Sequence, residues 1–405
     1  MSFTKQKGLE QATLLIALDN EGVNVNPDDF KDLDYENTYA EQIRSLFDWN
    51  FKNYVSTKIP RGFRLNTTDF YIQLYWNPES RFRIEPSGDG NFLLIEGADN
   101  VIDEVHFERK PEFYNEKTSE GKDMSRIVQS TYQGRCAICY SNECSLLEKG
   151  LDCLFCNIND TKRRFGDLDK IEWKNPKEIG ETVAKAYQYG HHGFNLTGGF
   201  VPERREVDYY LDVVEAVKEH TGLDEVHGMA CVGAPSDLSI IEKYKEAGYS
   251  HIATNLEIWD KNLFKTICPG KEQLCGGREN WVAALKEEVN VFGRGYVRSC
   301  LVGGIEPKES LLEGIEYLAS LGVIAVPTIW KPCIGSALEG HRSPTTEWHQ
   351  EVAERTYQIY KKYGFTLEQF YYTRSAVEYY AYRFKLDGEK LPWEKDLDII
   401  SQEVA

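Results

Sequence analysis

The sequence predicts an α/β protein: a partial (β/α)6 TIM-like barrel preceded by a smaller N-terminal α+β domain. From about residue 131 to residue 365, strand-like and helix-like patterns alternate along the chain, which is typical of a parallel sheet with outer helices. Before that region, short strand-like runs are separated by Pro and Gly, as in an antiparallel sheet. The 405 residues, 41% of them hydrophobic, suffice for one large domain or two.

We predict that residues 1–130 form the N-terminal domain, to which the sequence assigns no role. Apolar and aromatic residues at helical spacing predict a helix over Tyr39–Tyr54. Strands are expected in four short runs that are rich in apolar and aromatic residues: Phe70–Tyr75, Phe82–Ile84, Phe92–Ile95 and Ile102–Glu108.

Residues 131–365 are predicted to form the barrel core, and residues 366–405 a C-terminal helical extension. The six strands are expected at Ile127–Tyr132, Gly193–Thr197, Val226–Cys231, His251–Asn255, Tyr296–Val302 and Val323–Thr328. Helices are expected at Ile179–Tyr189, Tyr209–His220, Leu238–Ala247, Trp281–Val289, Leu311–Leu321, Glu347–Tyr363 and Thr366–Phe384. Alternation at this spacing favours closure or partial closure into a barrel.

The net charge of −18 makes a nucleic-acid ligand unlikely, because such a field repels phosphate backbones. The sequence contains no apolar run of membrane-spanning length and no cationic signal segment, so we expect no membrane association and a cytoplasmic location. Thiols stay reduced there, and the ten cysteines are therefore expected to be ligands or buried apolar groups.

Five cysteines lie close together in the sequence: Cys136, Cys139, Cys144, Cys153 and Cys156. Two Cys-x2-Cys pairs at this distance are compatible with a four-thiolate zinc site, and hence with a zinc-stabilised barrel that acts as a binding or scaffold protein. The other hypothesis uses Cys144, Cys153 and Cys156, a Cys-x8-Cys-x2-Cys array that can hold three irons of a cubane cluster. Cys139 or Cys136 stays open as the first ligand in place of Cys144.

This array, with Phe155 directly before its last cysteine, resembles the cluster motif of the radical S-adenosylmethionine (SAM) superfamily. Most of that superfamily has a shorter first gap, Cys-x3-Cys-x2-aromatic-Cys, so this chain departs by widening it. The resemblance implies a partial barrel of radical SAM type and a [4Fe-4S] cluster held by Cys144, Cys153 and Cys156. It also implies that Phe155 shields the cluster and that SAM binds the iron without a protein ligand.

Strand-end residues further along resemble biotin-synthase-like members. The resemblance implies that Thr197, Gly198 and Gly199 approach the methionine part of SAM and that Asn255 and Glu257 hold its ribose hydroxyls. Arg298, in an apolar strand, is expected to bind a carboxylate of SAM or of a substrate, or to form a buried ion pair. A run from Pro327 to Ala337 corresponds to the family's segment near adenine and substrate.

The implied activity is reductive cleavage of SAM to a 5′-deoxyadenosyl radical, which abstracts hydrogen from a small-molecule substrate; no individual catalytic side chain is assigned. Such an enzyme needs an electron donor of the flavodoxin or ferredoxin type. A radical SAM enzyme that modifies tRNA or a peptide remains the alternative within this family. Cys136 and Cys139 are left over, and a second metal site near them is a further hypothesis: they could hold a zinc ion or, together with Cys268 and Cys275, a second cluster.

Overall fold

The computed structural model describes residues 5–42, 58–66, 71–88, 90–131, 134–141, 143–158, 173–333, 335–371 and 378–389. Its strands are β1 Asn24–Val25, β2 Ala40–Gln42, β3 Lys58–Pro60, β4 Gly62–Leu65, β5 Tyr71–Gln73, β6 Phe82–Pro86, β7 Phe92–Glu96, β8 Asn100–Phe107, β9 Gln129–Ser130, β10 Cys136–Cys139, β11 Phe194–Thr197, β12 Gly228–Cys231, β13 His251–Ala253, β14 Val297–Gly303 and β15 Val323–Ile329.

The helices are α1 Lys5–Glu21, α2 Met124–Ile127, α3 Ser145–Glu148, α4 Pro176–Gln188, α5 Glu203–Thr221, α6 Ile240–Ala247, α7 Lys261–Ile267, α8 Pro269–Leu274, α9 Gly277–Phe292, α10 Lys308–Leu321, α11 Thr346–Lys362, α12 Leu367–Tyr371 and α13 Glu378–Leu386. None of the helices in the described ranges is long and apolar enough to cross a membrane.

The chain forms two compact units, each discontinuous in sequence. The smaller comprises Met1–Lys110, Pro327–Lys331 and Arg342–Ala405, and the larger comprises Pro111–Val326 and Pro332–His341. The division into residues 1–130, 131–365 and 366–405 that we expect from the sequence stays a prediction. The two compact units are each made of separate stretches of the chain, so they do not test consecutive domains.

The smaller unit is built on a sheet with strand order β1-β6-β7-β8-β4-β5, in which β6, β7 and β8 form an antiparallel meander. Alternation of apolar residues buries one face of these strands. Phe30, Phe92 and Phe107 pack together on that face, with ring centroids 4.9–5.7 Å apart.

The four strands predicted from the sequence in this region correspond to β5–β8. The helix predicted over Tyr39–Tyr54 is wrong at its start, since β2 occupies Ala40–Gln42; residues 43–54 lie outside the described part.

The larger unit contains the predicted barrel. Its sheet has the order β15-β14-β13-β12-β11-β10-β9, and every pair from β10 to β14 is parallel. Residues such as Ile138, Leu196 and Ile252 are fully buried on the helix-facing side. In this sheet β15 and β10 are not neighbours, so the barrel is partial. The predicted α/β class and partial (β/α)6 barrel are confirmed.

Local sequence explains where the barrel helices begin and end. Asn175 caps α4 by accepting a hydrogen bond from the Lys177 amide at 2.9 Å, and Pro176 starts the helix. The helix α5 ends at Gly222, whose φ of 71° lies in the left-handed region. Such ends turn the chain back to the sheet edge where the next strand starts.

The first barrel strand is not where the sequence indicates. Ile127–Tyr132 is predicted as that strand, but the chain there forms α2 and the two-residue strand β9, which pairs antiparallel with β10. Ile127 and Val128 are buried, so this apolar run contributes to the core from the end of a helix and not from a parallel strand. The first parallel strand is instead β10, which contains Cys136 and Cys139. Both cysteines are thus strand residues rather than loop ligands.

Candidate metal centre

The segment that carries Cys144 leaves the end of β10 and runs beside the end of β11. The Tyr140 amide donates to the Thr197 carbonyl at 2.9 Å, and the Ser145 amide donates to the Phe200 carbonyl at 2.7 Å. Cys144 directly precedes α3 and is half-buried. Two neighbouring strands therefore fix the position of this first predicted ligand at the carboxyl edge of the sheet, where barrel enzymes place their sites.

The Cys153–Cys156 segment is a tight turn held from two directions. The Cys156 amide donates to the Cys153 carbonyl at 2.9 Å, which closes the turn around Leu154 and Phe155. The Leu154 amide donates to the Ile267 carbonyl at 2.9 Å. On the other side, the Leu338 amide donates to the Leu154 carbonyl at 3.1 Å. The turn is thereby fixed between the end of α7 and the loop that follows β15.

The three predicted ligand thiols are free and half-buried, and they lie close enough for their charges to interact. Burial, together with the smaller effect of the neighbouring charges of Cys153, Cys144 and Glu257, raises the pKa of Cys156 to about 12. A protein thiol in this setting releases its proton only when a cation binds it. This clustering of thiols fits a polynuclear iron–sulfur group.

A zinc site gains no support from the geometry. In the described ranges, no three His, Cys, Asp or Glu side chains are placed to hold one metal ion. Ligands of a single zinc ion must all reach one point, whereas a cubane spreads its ligands over several irons. Cys136 and Cys139 are three residues apart on β10 and therefore face opposite ways. Cys136 is fully buried, and burial raises its pKa to about 12.

Gly198 and Gly199 are required by their contacts with the Cys144 segment. A Cβ on Gly198 would lie 2.4 Å from the Tyr140 ring, and one on Gly199 would lie 2.0 Å from the Glu143 carbonyl oxygen. Backbone cannot move aside as a flexible side chain can, so only glycine fits at residue 199. Thr197, at the end of β11, is exposed beside them. This pair lets β11 approach the cysteine segment closely.

Asn255 and Glu257 follow β13 and meet at one lysine that the sequence analysis missed. Lys271 Nζ donates to the Asn255 carbonyl at 2.8 Å and pairs with Glu257 Oε1 at 3.1 Å. The strand ends at Ala253, and Glu257 has a φ of 72°, so the extended alternation that would align Asn255 with Glu257 is interrupted. The amide oxygen of Asn255 accepts from the Cys300 amide at 3.0 Å.

Arg298 lies within β14 opposite Ala253 and is only 3% exposed. Its charge acts on the neighbouring barrel residues: burial lowers the pKa of His251, and the Arg298 guanidinium lowers it further. Burial raises the pKa of Cys231 to about 12, while Arg298 acts in the opposite direction. A buried cation of this kind is suited to an anionic partner.

The family model described as the Radical SAM superfamily matches residues 150–327. That range contains the Cys153–Cys156 turn and the strands β11–β14. The predicted resemblance to the radical SAM superfamily is confirmed over these residues. The match identifies the chain as a radical SAM enzyme, and the general cofactors of that family are a [4Fe-4S] cluster and SAM.

The chain is similar to several named radical SAM proteins. It is 26% identical over 366 residues to bacteriochlorophyllide c C-7(1)-hydroxylase of Chlorobaculum limnaeum, covering 82% of this chain and 89% of that protein. It is 22% identical over 211 residues to a probable GTP 3',8-cyclase of Methanococcus aeolicus, covering 51% of this chain and 64% of that protein.

Two solved structures are similar to parts of the chain. The FeFe-hydrogenase maturase HydG from Carboxydothermus hydrogenoformans gives a TM-score of 0.43 at 13% identity, covering 56% of this chain and 52% of that one. Methylornithine synthase (PylB) gives a TM-score of 0.41 at 19% identity, covering 61% and 72%.

Two further residues lie near the predicted site, Cys268 and Lys271. Sequence reasoning did not find Lys271 and considered Cys268 only as a ligand of a second cluster. Cys268 is fully buried. The neighbouring Cys268 thiol lowers the pKa of Cys153, and Cys153 raises the pKa of Cys268. Burial works against a charged Lys271, but Glu257 and the two thiols outweigh burial and raise its pKa. Cys268 and Lys271 belong to one run, Cys268-Pro-Gly-Lys271. The only signal that the sequence offers for Lys271 is its position three residues after a cysteine.

Proposed function

We propose that the chain reductively cleaves SAM at a [4Fe-4S] cluster held by Cys144, Cys153 and Cys156, and starts radical chemistry on a small-molecule substrate. The observation that supports this proposal is that Cys144, Cys153 and Cys156 are free, half-buried thiols on a segment at the carboxyl edge of a partial barrel. Their segment is fixed to β11 at one end and to α7 at the other.

When bound, the reduced cluster would supply one electron to a carbon–sulfur bond of SAM, and breakage of that bond would yield the oxidising radical. The residues of this chain would hold and orient the parts of SAM. The Thr197-Gly198-Gly199 backbone would receive the amine and carboxylate of the methionine part. Asn255 and Glu257 would hold the ribose hydroxyls, since an amide and a carboxylate are suited to a diol. Lys271 fixes the orientation of Glu257 for that purpose.

Phe155 would shield the cluster from water, and Arg298 would bind a carboxylate of SAM or of the substrate. Phe155 lies inside the cysteine turn, half-buried. Arg298 lies on the barrel strand β14, two residues before Cys300, and is buried. A buried guanidinium gives strong, directional recognition of a carboxylate. It therefore selects for a substrate or cofactor group with a negative charge.

We infer that the substrate step is removal of hydrogen from an unactivated carbon. Support comes from the hydroxylase of Chlorobaculum limnaeum, because the similarity extends over 82% of this chain and well beyond residues 150–327. A flavodoxin- or ferredoxin-type protein would supply the electron, and the reaction would take place in the cytoplasm, where thiols and clusters stay reduced.

A radical SAM enzyme acting on tRNA or a peptide is the second candidate. The net charge of −18 disfavours a nucleic-acid substrate, though it does not bear on a peptide. The scaffold hypothesis is not retained, because residues 150–327 match an enzyme family. The proposal includes one cluster and no second metal near Cys136 and Cys139, since these two cysteines face opposite sides of β10.

The test is anaerobic reconstitution with iron and sulfide, addition of dithionite and SAM, and mass spectrometry for 5′-deoxyadenosine. Wild type should form it, and Cys144→Ala, Cys153→Ala and Cys156→Ala should each lose it together with the cluster. Cys139→Ala is the matched control, and it should keep both. If Cys139→Ala abolishes the cluster and Cys144→Ala does not, the first ligand is misassigned. A fully loaded cluster that leaves SAM intact would refute the proposed function.

A further inference from the structure

The junction between α7 and α8, residues 267–271, is bonded through its backbone to the cysteine turn and to the residues just before it. The Leu154 amide donates to the Ile267 carbonyl at 2.9 Å, and the Gly270 amide donates to the Leu151 carbonyl at 2.9 Å. A Cβ on Gly270 would lie 2.4 Å from the Leu151 oxygen, so a side chain at this position would push the two backbones apart. These contacts fix the distance between the junction and the turn.

The same junction reaches the residues after β13 through Lys271. The Lys271 ammonium donates to the Asn255 carbonyl at 2.8 Å and to Glu257 Oε1 at 3.1 Å. It also lies 4.0 Å from the centroid of the Trp281 ring, and the residue is only 8% exposed. Because three partners surround the ammonium where water hardly reaches, it has one position.

Asn255 and Glu257 each keep one polar atom for a ligand. The side-chain oxygen of Asn255 accepts from the Cys300 amide at 3.0 Å, and Oε1 of Glu257 accepts from Lys271. Among the described residues, Asn255 Nδ2 and Glu257 Oε2 make no hydrogen bond. A fixed donor and a fixed acceptor two residues apart suit two neighbouring hydroxyls.

Glu257 has a backbone conformation that needs support from its surroundings. Its φ of 72° lies in the left-handed region, which a residue with a long side chain seldom adopts. The Glu257 amide donates to the Cys300 carbonyl at 2.9 Å, and the Val302 amide donates to the Glu257 carbonyl at 2.7 Å. These bonds hold the backbone, and Lys271 holds the carboxylate. Such conformations persist only where several contacts maintain them.

We propose that residues 267–271 couple the ribose-binding pair, Asn255 and Glu257, to the cysteine turn, with Lys271 as the positioning residue between them. The inference rests on the proposed function, because it takes this pair as the groups that hold the ribose. A nucleoside bound to the pair keeps Lys271 in place, and Lys271 follows Gly270 directly in the chain. The turn then opens less often, since its bonds to the junction must break when it opens. By linkage, an ordered turn strengthens nucleoside binding by the same factor.

The test measures amide hydrogen exchange of the full chain, purified without added iron, with and without saturating 5′-deoxyadenosine. Calorimetry first establishes the saturating concentration for each protein. In wild type, exchange in residues 151–156 should slow about fivefold or more when the nucleoside binds, the lower end of ordinary coupling between sites. Lys271→Met should bind the nucleoside more weakly, and its saturation should leave exchange in residues 151–156 unchanged.

Gly270→Ala is the second variant, because it disturbs the contact with Leu151 and leaves the polar atoms of the ribose-binding pair in place. It should still bind the nucleoside but lose the slowing in residues 151–156. Lys261→Met, at the exposed start of α7, is the matched control and should respond as wild type does. If Lys271→Met does not fold or bind, Gly270→Ala decides the question alone.

Two outcomes overturn the inference. One is a wild type that binds the nucleoside without any change of exchange in residues 151–156, and the other is a Gly270→Ala variant that keeps the full slowing. A wild type that does not bind 5′-deoxyadenosine refutes the ribose-binding role in the proposed function instead, so the two failures are distinguishable.

Discussion

Buried carboxyl groups are the residues whose ionisation most affects this barrel. Glu206 accepts from the Gly233 amide at 3.1 Å, and Glu288 accepts from Thr254 Oγ1 at 2.5 Å. Burial raises the pKa of each to about 8. These contacts lie just after the ends of β12 and β13, and β13 leads to Asn255 and Glu257. Protonation of Glu206 and Glu288 thus couples the stability of the barrel to pH.

We expect Glu288→Gln to remove part of the pH dependence of stability. The folded-state pKa of Glu288 lies above the ordinary value of 4.5, so the stabilising effect of its proton is complete below pH 4.5. It is lost as pH rises to about 8, on the order of a few kcal/mol. Urea unfolding between pH 5 and pH 8.5 should show a flatter profile in the variant than in wild type. Glu242→Gln, at an exposed position of α6, is the control; equal slopes in Glu288→Gln and wild type would contradict the prediction.

Gly199→Ala should disturb the cysteine segment rather than the barrel. The added Cβ would approach the Glu143 carbonyl to 2.0 Å, and the backbone that carries Cys144 must then shift. We expect severalfold lower iron incorporation with near-native far-ultraviolet circular dichroism. Gly233→Ala is a milder comparison, since its nearest neighbour is the Phe200 ring at 2.9 Å, which can rotate. Full iron content in Gly199→Ala would show that the contact does not control the ligand.

At the scale of elements, α4 and α5 cover the β10 and β11 side of the barrel through one close contact. Gly180 lies in α4 where a Cβ would come within 2.5 Å of the Ala216 carbonyl of α5. Tyr209 and Tyr210 of α5 pack on Tyr140, with ring centroids 4.7 and 5.6 Å apart. Since Tyr140 directly follows β10, the position of α5 affects the start of the cysteine segment.

Gly180→Ala should therefore separate the two helices and lower the free energy of unfolding by about 1–3 kcal/mol, the usual cost of overpacking. In an uncrowded helix position, alanine in place of glycine would stabilise instead, so the sign of the effect tests the contact. Thermal unfolding measures it, with Lys177→Ala on the exposed side of α4 as control. A raised melting temperature in Gly180→Ala would contradict the close packing of α4 on α5.

The sequence predicts the middle of the barrel well because each strand there is a short apolar run between turn residues. Phe194–Thr197 and Val297–Gly303 match their predicted strands within one residue. The prediction of the first strand is wrong. Ile127 and Val128 are apolar, as in a strand, but they are buried at the end of α2 and directly after it. The helix predicted over Tyr39–Tyr54 is wrong at Ala40–Gln42, where the chain forms β2. The sequence analysis does not predict α1.

In the candidate site, too, some residues can be predicted from the sequence and others cannot. Cys144, Cys153 and Cys156 are recognisable from local spacing. The proximity of Cys268 and Lys271 to this array is not, because they lie more than a hundred residues further along the chain and their position depends on how α7 and α8 pack. The crowding at Gly199 is likewise invisible without the position of Glu143. Spacing thus identifies ligands, and tertiary packing identifies the groups that act on them.

At the scale of the whole molecule, the larger unit holds all the predicted site residues. The smaller unit includes Pro327–Lys331, which is the end of β15 and the two residues after it, and the helix α11. There Lys331 pairs with Asp19 at 2.6 Å and lies 4.1 Å from the centroid of the Tyr75 ring. Residues after the sixth strand are thereby anchored in the core of the smaller unit.

The most direct test of the central claim is electron paramagnetic resonance of the dithionite-reduced, reconstituted protein with and without SAM. We predict about four irons per chain, a reduced [4Fe-4S] signal, and a change of that signal when SAM is added, because SAM binds the iron that lacks a protein ligand. A signal indifferent to SAM, or a colourless protein that holds zinc in place of iron, would contradict the account.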